Sequence, residues 1–417
     1  MSNPKKIQVF EYQYLHIDKT YDGVLFKQAH FNALVKFNEL HKSKYFNIGY
    51  KKIQFLNYVG IIQVDAICIE ILPKIDHATD NKQVWQTVLI QMLKTTKKLK
   101  VHKAGEATVN KQSIHLLDIY FEWFLKEVTH LMHLGLIKQY YTQTKNVKAL
   151  KGKLEFAGHI QKNSIRKDRF YTSHQVYEKD HLAHQILDKA LQIIAQFSKG
   201  TSLYANCKKV QLNFPDVTPI QINATTFDKL VLTRKTKPYE TVLEIARLII
   251  LNYAPNVSSG SEKMLAILFD MNHLWEEYIL VQLKKHVSNH KDWTVKGQES
   301  KPFIKGHSLR PDIVLFHSKT NKTIVIDTKW KLGSKNISVS DLRQVYTYSK
   351  YWNAEKVMLL YPNQKEYKTK FLEYKNEFDL PTHYCKLGFI TILNTKGNIL
   401  NNIGEEVYKL LEIDEEQ

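Results

Sequence analysis

Residues 310–330 read RPDIVLFHSKTNKTIVIDTKW, and this stretch decides how the chain is interpreted. Two apolar runs flank a polar segment, so the stretch predicts two β-strands joined by a short turn. Because side chains alternate along a strand, Asp327 and Lys329 are expected on one face, and Asp312, at the start of the preceding strand, can lie beside them. Charged residues in such an apolar run are costly to bury unless they are paired or used.

Two carboxylates with fourteen residues between them form a candidate site for a hard divalent cation. Asp312 and Asp327 are the expected ligands, with the backbone carbonyl of Thr328 as a third oxygen. Lys329 beside them can position or activate a water and offset the charge of a phosphate. The alternative is a structural Asp–Lys pair buried in the fold.

The acid-x-Lys triplet has little specificity by itself. It recurs in four polar segments, which begin at Asp80, Glu299, Glu366 and Glu373. None of these follows a Pro-Asp strand, so they are interpreted as solvated surface. The stretch from Pro311 to Lys329 differs because it contains both a Pro-Asp pair and an Asp-x-Lys triplet, each next to an apolar run.

Three further residues are candidates for the same site. Gln344 and Tyr348 are four apart on a predicted helix, 340–352, and therefore share a face. Glu276 lies on the helix that precedes the strands and can add a third carboxylate. The alternatives are ordinary helix-surface packing for Gln344 and Tyr348, and a solvated face beside Glu277 for Glu276.

Composition places these motifs in a basic globular protein. The chain has 417 residues, which suggests two or three domains, and its 60 Lys and Arg outnumber 41 Asp and Glu for a formal charge of +19. Such an excess favours nucleic acid or another polyanion as the partner, with a generally basic protein as the alternative. Three widely separated cysteines, and the lack of a signal peptide or an apolar run long enough to span a bilayer, predict a cytoplasmic protein without a membrane partner.

The hydrophobic periodicity changes twice along the chain. Residues 1–75 read as strands, 76–240 as mainly helical, and 241–417 as helix, three strands, helix and strand, which is the order of a small α/β domain. A single helix is expected over 262–286. The predicted fold class is therefore mixed, α+β and α/β, with a β-rich and helical N-terminal region before a C-terminal α/β domain.

The motifs resemble those of a known nuclease superfamily. Pro311-Asp312 followed by Asp327-Thr-Lys329 resembles the PD-(D/E)xK signature, and Gln344-x-x-x-Tyr348 resembles the Q-x-x-x-Y extension of its RecB-like members. Across nearly the whole chain, the order of motifs is similar to that of the McrC family, the endonuclease subunits of McrBC-type restriction systems. The other matching segments are ILPKI at 71–75, Gly135-Leu136 with Tyr140, LKGKL at 150–154, MNHLWE at 271–276, RPD at 310–312, DTKWK at 327–331 and LLYP at 359–362. HQIL at 184–187 departs from the Asn-Arg-Ile-Leu-like run common in that family.

This resemblance implies a restriction-endonuclease-like fold for 241–417 and a Mg²⁺-dependent DNA endonuclease, with Mn²⁺ as a substitute ion. The implied catalytic residues are Asp312, Asp327, Lys329, Glu276, Gln344 and Tyr348. It also implies modified double-stranded DNA as the substrate and an McrB-like AAA+ GTPase ring as the partner. The predicted loops at 18–23 and 41–47 are polar and basic, so residues 1–75 are expected to dock on this ring. The chain has no P-loop of its own, so a motor would be another chain. Two alternatives stay open: a catalytically idle DNA- or ring-binding adaptor, and a standalone RecB-like nuclease.

Overall fold

The structure, a computed structural model, describes residues 5–64, 67–75, 81–99, 116–231, 233–254, 263–331, 338–363, 369–375, 382–394 and 399–413. The described residues form two compact units. The first unit consists of residues 117–254 and 265–267, and the second unit of the remaining described residues. Described residues before 100 and after 267 therefore share one unit, whereas the sequence predicts boundaries at 75 and 240. As a division of functional roles, the three-domain prediction stays a prediction.

Helices occur in both units. In chain order they are α1 (Gln28–Leu40), α2 (Lys82–Thr95), α3 (Leu116–Leu134), α4 (Phe156–Asn163), α5 (Leu182–Phe197), α6 (Ser202–Asn213), α7 (Ala224–Asp228), a 3-10 helix (Lys237–Tyr239), α8 (Glu240–Leu251), α9 (Met271–Val287), α10 (Val339–Trp352) and α11 (Ile403–Leu410).

The strands confirm the mixed α/β character. In chain order they are β1 (Lys5–Phe10), β2 (Tyr14–His16), β3 (Lys19–Tyr21), β4 (Val24–Phe26), β5 (Phe46–Gly49), β6 (Lys52–Phe55), β7 (Tyr58–Val64), β8 (Ile67–Leu72), β9 (Gln139–Val147), β10 (Lys153–Leu154), β11 (Phe170–Glu178), β12 (Tyr253–Ala254), β13 (Met264–Asp270), β14 (Trp293–Gly297), β15 (Lys301–Ile304), β16 (His307–Leu309), β17 (Ile313–His317), β18 (Thr323–Thr328), β19 (Lys356–Asn363), β20 (Leu372–Glu373) and β21 (Tyr384–Thr391).

A six-stranded sheet in the second unit supports the Pro-Asp and Asp-x-Lys segments. Its strand order is β14-β17-β18-β19-β21-β20. β17 pairs antiparallel with β14 and β18, whereas β18, β19 and β21 are parallel neighbours. β18 and β19 are buried along nearly their whole length, as their continuous apolar runs require for central strands.

Helix α10 lies in the chain between two parallel strands, β18 and β19, and packs on their sheet. Its residues Val345, Tyr348 and Trp352 join a buried cluster that also contains Val325 and Leu359. Because residues three and four apart share a face of a helix, this packing fixes how the helix is rotated about its axis.

The predicted helix over 262–286 is wrong in its first part. Residue 262 lies outside the described residues, Met264–Asp270 is β13, and α9 begins at Met271. The side chain of Asp270 caps the helix by accepting hydrogen bonds from the backbone N–H groups of Asn272 (2.9 Å) and His273 (3.3 Å). The run MLAILF is apolar throughout, so its periodicity does not distinguish a buried strand from a buried helix.

The N-terminal part of the second unit is built on paired strands, as predicted. β1 is parallel to β8, and β8 is antiparallel to β7. Glu70 of β8 is buried but fully paired, because its carboxylate meets Lys6 Nζ (2.7 Å), Gln8 Nε2 (2.7 Å) and Gln86 Nε2 (2.8 Å). Partners of this kind are what permits a carboxylate to stay inside a fold.

A smaller sheet of order β2-β6-β5 also belongs to this part of the chain. It presents Tyr14, Ile48 and Tyr50 to solvent, and Tyr50 is 87% exposed. Lys52 Nζ lies over the Tyr14 ring at 4.8 Å and Lys51 Nζ over the Tyr50 ring at 5.7 Å. Tyr14 pairs with Gln54 and Ile48 with Ile53, so Tyr14 and Ile48 point to opposite sides of this sheet. Exposed Ile48 of β5 and Tyr50 in the turn that follows it are called the N-terminal face below.

The first unit is mainly helical, and it carries a ribbon of two long antiparallel strands, β9 and β11. Its buried His184 contacts the Lys179 carbonyl (2.6 Å) and the Tyr239 hydroxyl (3.0 Å), and burial lowers the pKa of His184 to about 4. This histidine is therefore a neutral packing residue. No helix among the described residues of either unit has the length and apolar character needed to cross a bilayer.

Candidate metal-dependent site

The register of β17 and β18 brings the two aspartates together. Ile313 pairs with Ile326 in this antiparallel ladder, so the next position along the chain sets Asp312 opposite Asp327. Directly opposed residues of an antiparallel pair point to the same side of the sheet. Lys329 lies two residues beyond Asp327 and follows the same alternation.

Two hydrogen bonds from Thr328, one from its backbone and one from its side chain, hold Asp312 in place. The Thr328 backbone N–H donates to Asp312 Oδ2 at 2.7 Å, and the Thr328 hydroxyl donates to the same oxygen at 2.9 Å. Burial raises the pKa of Asp312 above its usual value, although these two donors oppose the rise. One carboxylate oxygen is thus used for orientation, and the sequence had pointed to Thr328 only for its carbonyl.

Asp327 is the most deeply buried group of the site, with 2% of its side chain exposed. Its Oδ2 lies 2.7 Å from Lys329 Nζ, so the two form an ion pair. Burial, followed by the negative charge of Asp312, raises the pKa of Asp327 to about 7. Burial alone would lower the pKa of Lys329, but the charge of Asp327 and the contact with it raise that pKa above its usual value.

Gln344 and Tyr348 extend the contacts of Lys329. Lys329 Nζ donates to Gln344 Oε1 at 3.1 Å, and Gln344 Nε2 donates to the Tyr348 hydroxyl at 2.9 Å. The Tyr348 hydroxyl in turn donates to the Arg310 carbonyl at 3.3 Å, while its ring packs edge-on against Trp352. Both residues predicted on the helix therefore lie at the lysine, and Tyr348 also belongs to the core.

Glu276 is buried instead of lying on a solvated face. Its Oε1 accepts a 2.6 Å hydrogen bond from Gln298 Nε2, and its Oε2 lies 3.4 Å from His273 Nδ1. Burial, followed by the negative charge of Asp312, raises the pKa of Glu276. Glu276 is therefore close enough to the aspartates to be affected by their charge.

Gln298 is a residue that the sequence analysis missed. Besides the bond to Glu276, its backbone N–H donates to the Asp312 carbonyl at 2.9 Å, so one residue contacts two of the three acids. Its φ is +51°, a conformation that is unfavourable for a residue other than glycine and that is often found at functional sites. No local pattern marks a glutamine after a strand for this role.

The donor set fits a hard cation such as Mg²⁺. Within the described ranges, no three His, Cys, Asp or Glu side chains form a ready-made metal cluster. Mg²⁺ does not require one, because it keeps several waters and binds through one or two carboxylates together with substrate phosphates. Burial raises the pKa of Asp312, Asp327 and Glu276, and the negative charge of Asp312 adds to the rise at Asp327 and Glu276. A bound cation would offset the cost of holding these negative charges inside the fold.

Comparison with known proteins supports the resemblance seen in the motifs. Residues 53–362 match the model of a family described as "McrBC 5-methylcytosine restriction system component". The Escherichia coli (strain K12) "Type IV methyl-directed restriction enzyme EcoKMcrBC" is 20% identical over 273 residues, which are 60% of this chain and 77% of that protein. Among solved structures, the fold is similar to a chain in the half-complex of Thermococcus gammatolerans McrB AAA+ hexamers with bound McrC, with 20% identity, 98% and 99% coverage of the two chains and a TM-score of 0.67.

Proposed function

The chain belongs to the family of McrBC 5-methylcytosine restriction system components, and from this we propose that it is the metal-dependent DNA endonuclease subunit of a modification-dependent restriction complex. The observation that carries the proposal is the placement of Asp312, Asp327 and Lys329 on one side of a buried strand pair. The second unit would then contain a PD-(D/E)xK restriction-endonuclease-like domain.

Asp312 and Asp327 would hold Mg²⁺, or Mn²⁺ in its place, together with the Thr328 carbonyl. When bound, the ion supplies positive charge that polarises the scissile phosphate. The N–H and hydroxyl of Thr328 leave Asp312 one free carboxylate oxygen and fix its direction. This orientation matters because Mg²⁺ demands near-ideal octahedral geometry.

Lys329 is proposed to act on the phosphate and the attacking water. Its raised pKa keeps it protonated, so it can orient the water and stabilise the charge that develops on the phosphate oxygens. The water oxygen loses a proton to solvent and forms a bond to phosphorus, while the bond to the leaving ester oxygen breaks in line with it and that oxygen takes up a proton from solvent. Gln344 would hold the ammonium group at this position, and Tyr348 would hold Gln344.

Glu276 is proposed to orient a water or a second ion. Burial raises its pKa, so it is more readily protonated than an exposed glutamate and can take part in proton transfer to or from a bound water. Gln298 and His273 fix its two oxygens. All the positioning and proton-transfer roles proposed above are assigned to side chains of this protein.

The proposed partners are modified double-stranded DNA and an AAA+ GTPase ring. The formal charge of +19 favours a polyanion. The ring is suggested by the archaeal assembly of similar fold, in which McrC is bound to McrB AAA+ hexamers. We propose that residues 1–75 dock on that ring through the N-terminal face, because exposed apolar and aromatic side chains beside a lysine suit a protein interface.

The test is a Mg²⁺ titration of methylated plasmid cleavage with the GTPase partner present, comparing wild type with Asp327→Asn. Asp292→Asn is the matched control, since Asp292 pairs with Lys319 at the turn between β17 and β18. We expect Asp327→Asn to lose Mg²⁺ binding by calorimetry and cleavage together, while DNA binding persists. Full cleavage by Asp327→Asn at saturating Mg²⁺ would contradict the site.

The same experiment separates the two alternatives. An idle adaptor would stimulate the GTPase without any Mg²⁺-dependent cleavage. A standalone RecB-like nuclease would degrade DNA from its ends without the partner. The proposed subunit should cut ordinary duplex DNA poorly by itself and cut modified DNA when the ring hydrolyses GTP.

A further inference from the structure

Strands β15 and β16 form a two-stranded hairpin that is separate from the six-stranded sheet. It spans Lys301–Leu309 and turns at Lys305 and Gly306, where Gly306 has a φ of +81°. A two-stranded hairpin is marginally stable by itself in water. This segment, called the 301–309 hairpin below, therefore depends on contacts at its base.

Those contacts join the hairpin to the helix that carries Gln344 and Tyr348. Lys301 Nζ donates to the Tyr351 carbonyl at 2.9 Å and lies 4.8 Å from the centre of the Trp352 ring. The Phe303 ring meets the Tyr351 ring at a centroid distance of 5.4 Å. The hairpin is thus anchored on α10, and its other end continues directly into Arg310, Pro311 and Asp312.

The outer part of the hairpin exposes apolar side chains without burying them. Phe303 is 50% exposed and Ile304 is 65% exposed. The pairing register shifts between Pro302 and Ile304, so Phe303 occupies an irregularity of the bulge type. Bulges near active sites commonly redirect a side chain.

The charge around these apolar residues has one sign. Residues 300–310 contain Lys301, Lys305 and Arg310 and no acid. Lys305 and Arg310 make no ion pair with any residue that the structure describes, so their charges are available to a ligand. An apolar tip between free cations fits a polyanion that also offers an apolar interior, and duplex DNA has both.

We infer that the 301–309 hairpin is a DNA-contacting element that seats Phe303 and Ile304 in the groove beside the scissile phosphate. The inference rests on the proposed nuclease function. Apolar side chains inserted at base steps are a common way to grip and bend a duplex. His307, opposite Ile304, is five residues from Asp312, a span of at most ~17 Å, which places the contact within about five base pairs of the cut.

The test compares Phe303→Ser/Ile304→Ser with wild type in binding to a fluorescent 30-base-pair duplex without divalent cations. Leu372→Ser is the matched control, because Leu372 is 72% exposed on the edge strand β20. We expect the double variant to lose affinity by ~10-fold or more, since base contacts by aromatic groups are worth that much, while its salt dependence stays unchanged. Lys305→Ala should instead lower the salt slope by about one ion.

Several results would overturn the inference. Unchanged DNA affinity in the double variant excludes the groove contact, and a loss confined to GTPase stimulation would make the hairpin a protein-docking surface. The proposed function fails separately: a chain that binds DNA through the hairpin but never cleaves would contradict only the nuclease proposal. Because Phe303 also contacts Tyr351 at the base of the hairpin, Ile304→Ser is measured by itself as well, and unchanged affinity in that variant would contradict the groove contact of Ile304. A thermal melt of each variant checks that the fold is retained.

Discussion

The indole nitrogen of Trp330 donates a 2.7 Å hydrogen bond to Oε1 of Glu11, which lies 319 residues earlier in the chain. Trp330 directly follows Lys329, and its ring lies 5.4 Å from that of Trp275, the neighbour of Glu276. The backbone N–H of Lys74 donates to the same oxygen of Glu11. The beginning of the chain is thereby connected to the strand end that carries the lysine.

The first prediction concerns pH. Burial raises the pKa of Glu11 from 4.5 to about 7, so the folded state holds this proton more tightly than the unfolded state. The free energy of unfolding should therefore fall as pH rises from 4.5 to 7, by at most about 3 kcal/mol from this group. Glu11→Gln keeps an acceptor oxygen but cannot ionise, so it should be more stable than wild type at pH 8 and similar at pH 4.

Urea unfolding at the two pH values measures this difference. Glu39→Gln, an exposed substitution on α1, is the control and should leave the pH dependence as in wild type. Parallel pH profiles for wild type and Glu11→Gln would show that the carboxyl of Glu11 does not contribute.

The second prediction ranks Lys329 and Gln344. Lys329→Ala should slow cleavage by roughly 100-fold or more, because it removes a charge that stabilises the transition state. Gln344→Ala should cost less, about 10-fold, because the ion pair with Asp327 still holds the ammonium group. Single-turnover cleavage gives the rates, and calorimetry should show that both variants still bind Mg²⁺. If Lys329→Ala simply unfolds the protein, the structural ion-pair interpretation is right.

The third prediction is that a substitution of Gln298 lowers cleavage activity while it leaves the stability of the fold nearly unchanged. Gln298→Gly removes the strain of a positive φ but also removes the bond to buried Glu276, and these terms are each about 1–3 kcal/mol. The melting temperature should therefore change little, whereas cleavage should fall. Asn321→Gly is the control, since exposed Asn321 has a φ of +55° in a turn and contacts no acid of the site. A variant with full activity would remove Gln298 from the positioning role.

The fourth prediction concerns the N-terminal face. Deleting residues 1–75 is a poor test, because β1, β7 and β8 are core strands. Ile48→Ala/Tyr50→Ala removes exposed side chains only, and it should weaken binding of the GTPase ring by at least ~10-fold if Tyr50 is an anchor. GTPase stimulation measures the effect, with Leu212→Ala on exposed α6 as the control. Equal stimulation by both variants would move the docking surface elsewhere.

Much of the site was predictable because it depends on local geometry. Alternation along a strand sets Asp327 beside Lys329, and the helical repeat sets Gln344 beside Tyr348, so the sequence alone brings these residues together. Thr328 was identified for its carbonyl, but its hydroxyl bond to Asp312 depends on a rotamer that no pattern encodes.

The remaining features depend on contacts that sequence spacing does not reveal. Glu11 meets Trp330 across most of the chain, and Gln298 meets Glu276 only because of an unusual backbone angle. The strand Met264–Asp270 differs from the predicted helix because its apolar run, residues 264–269, has no alternation of polar and apolar residues that would mark a strand. Tertiary contacts determine these three features, whereas local periodicity determines the pairs Asp327–Lys329 and Gln344–Tyr348.

The second unit is assembled from stretches of chain that lie before and after residues 117–254 of the first unit, and this has a consequence during synthesis. A ribosome that adds about 5–20 residues per second needs roughly 15–60 s to proceed from Glu11 to Trp330. During that time, the Glu11 carboxyl cannot accept its hydrogen bond from Trp330, because Trp330 has not yet been synthesised. A nascent chain that ends before Asp312 contains the N-terminal strands but none of Asp312, Asp327 and Lys329, so the order of translation delays the appearance of the site until about three quarters of the chain has been made.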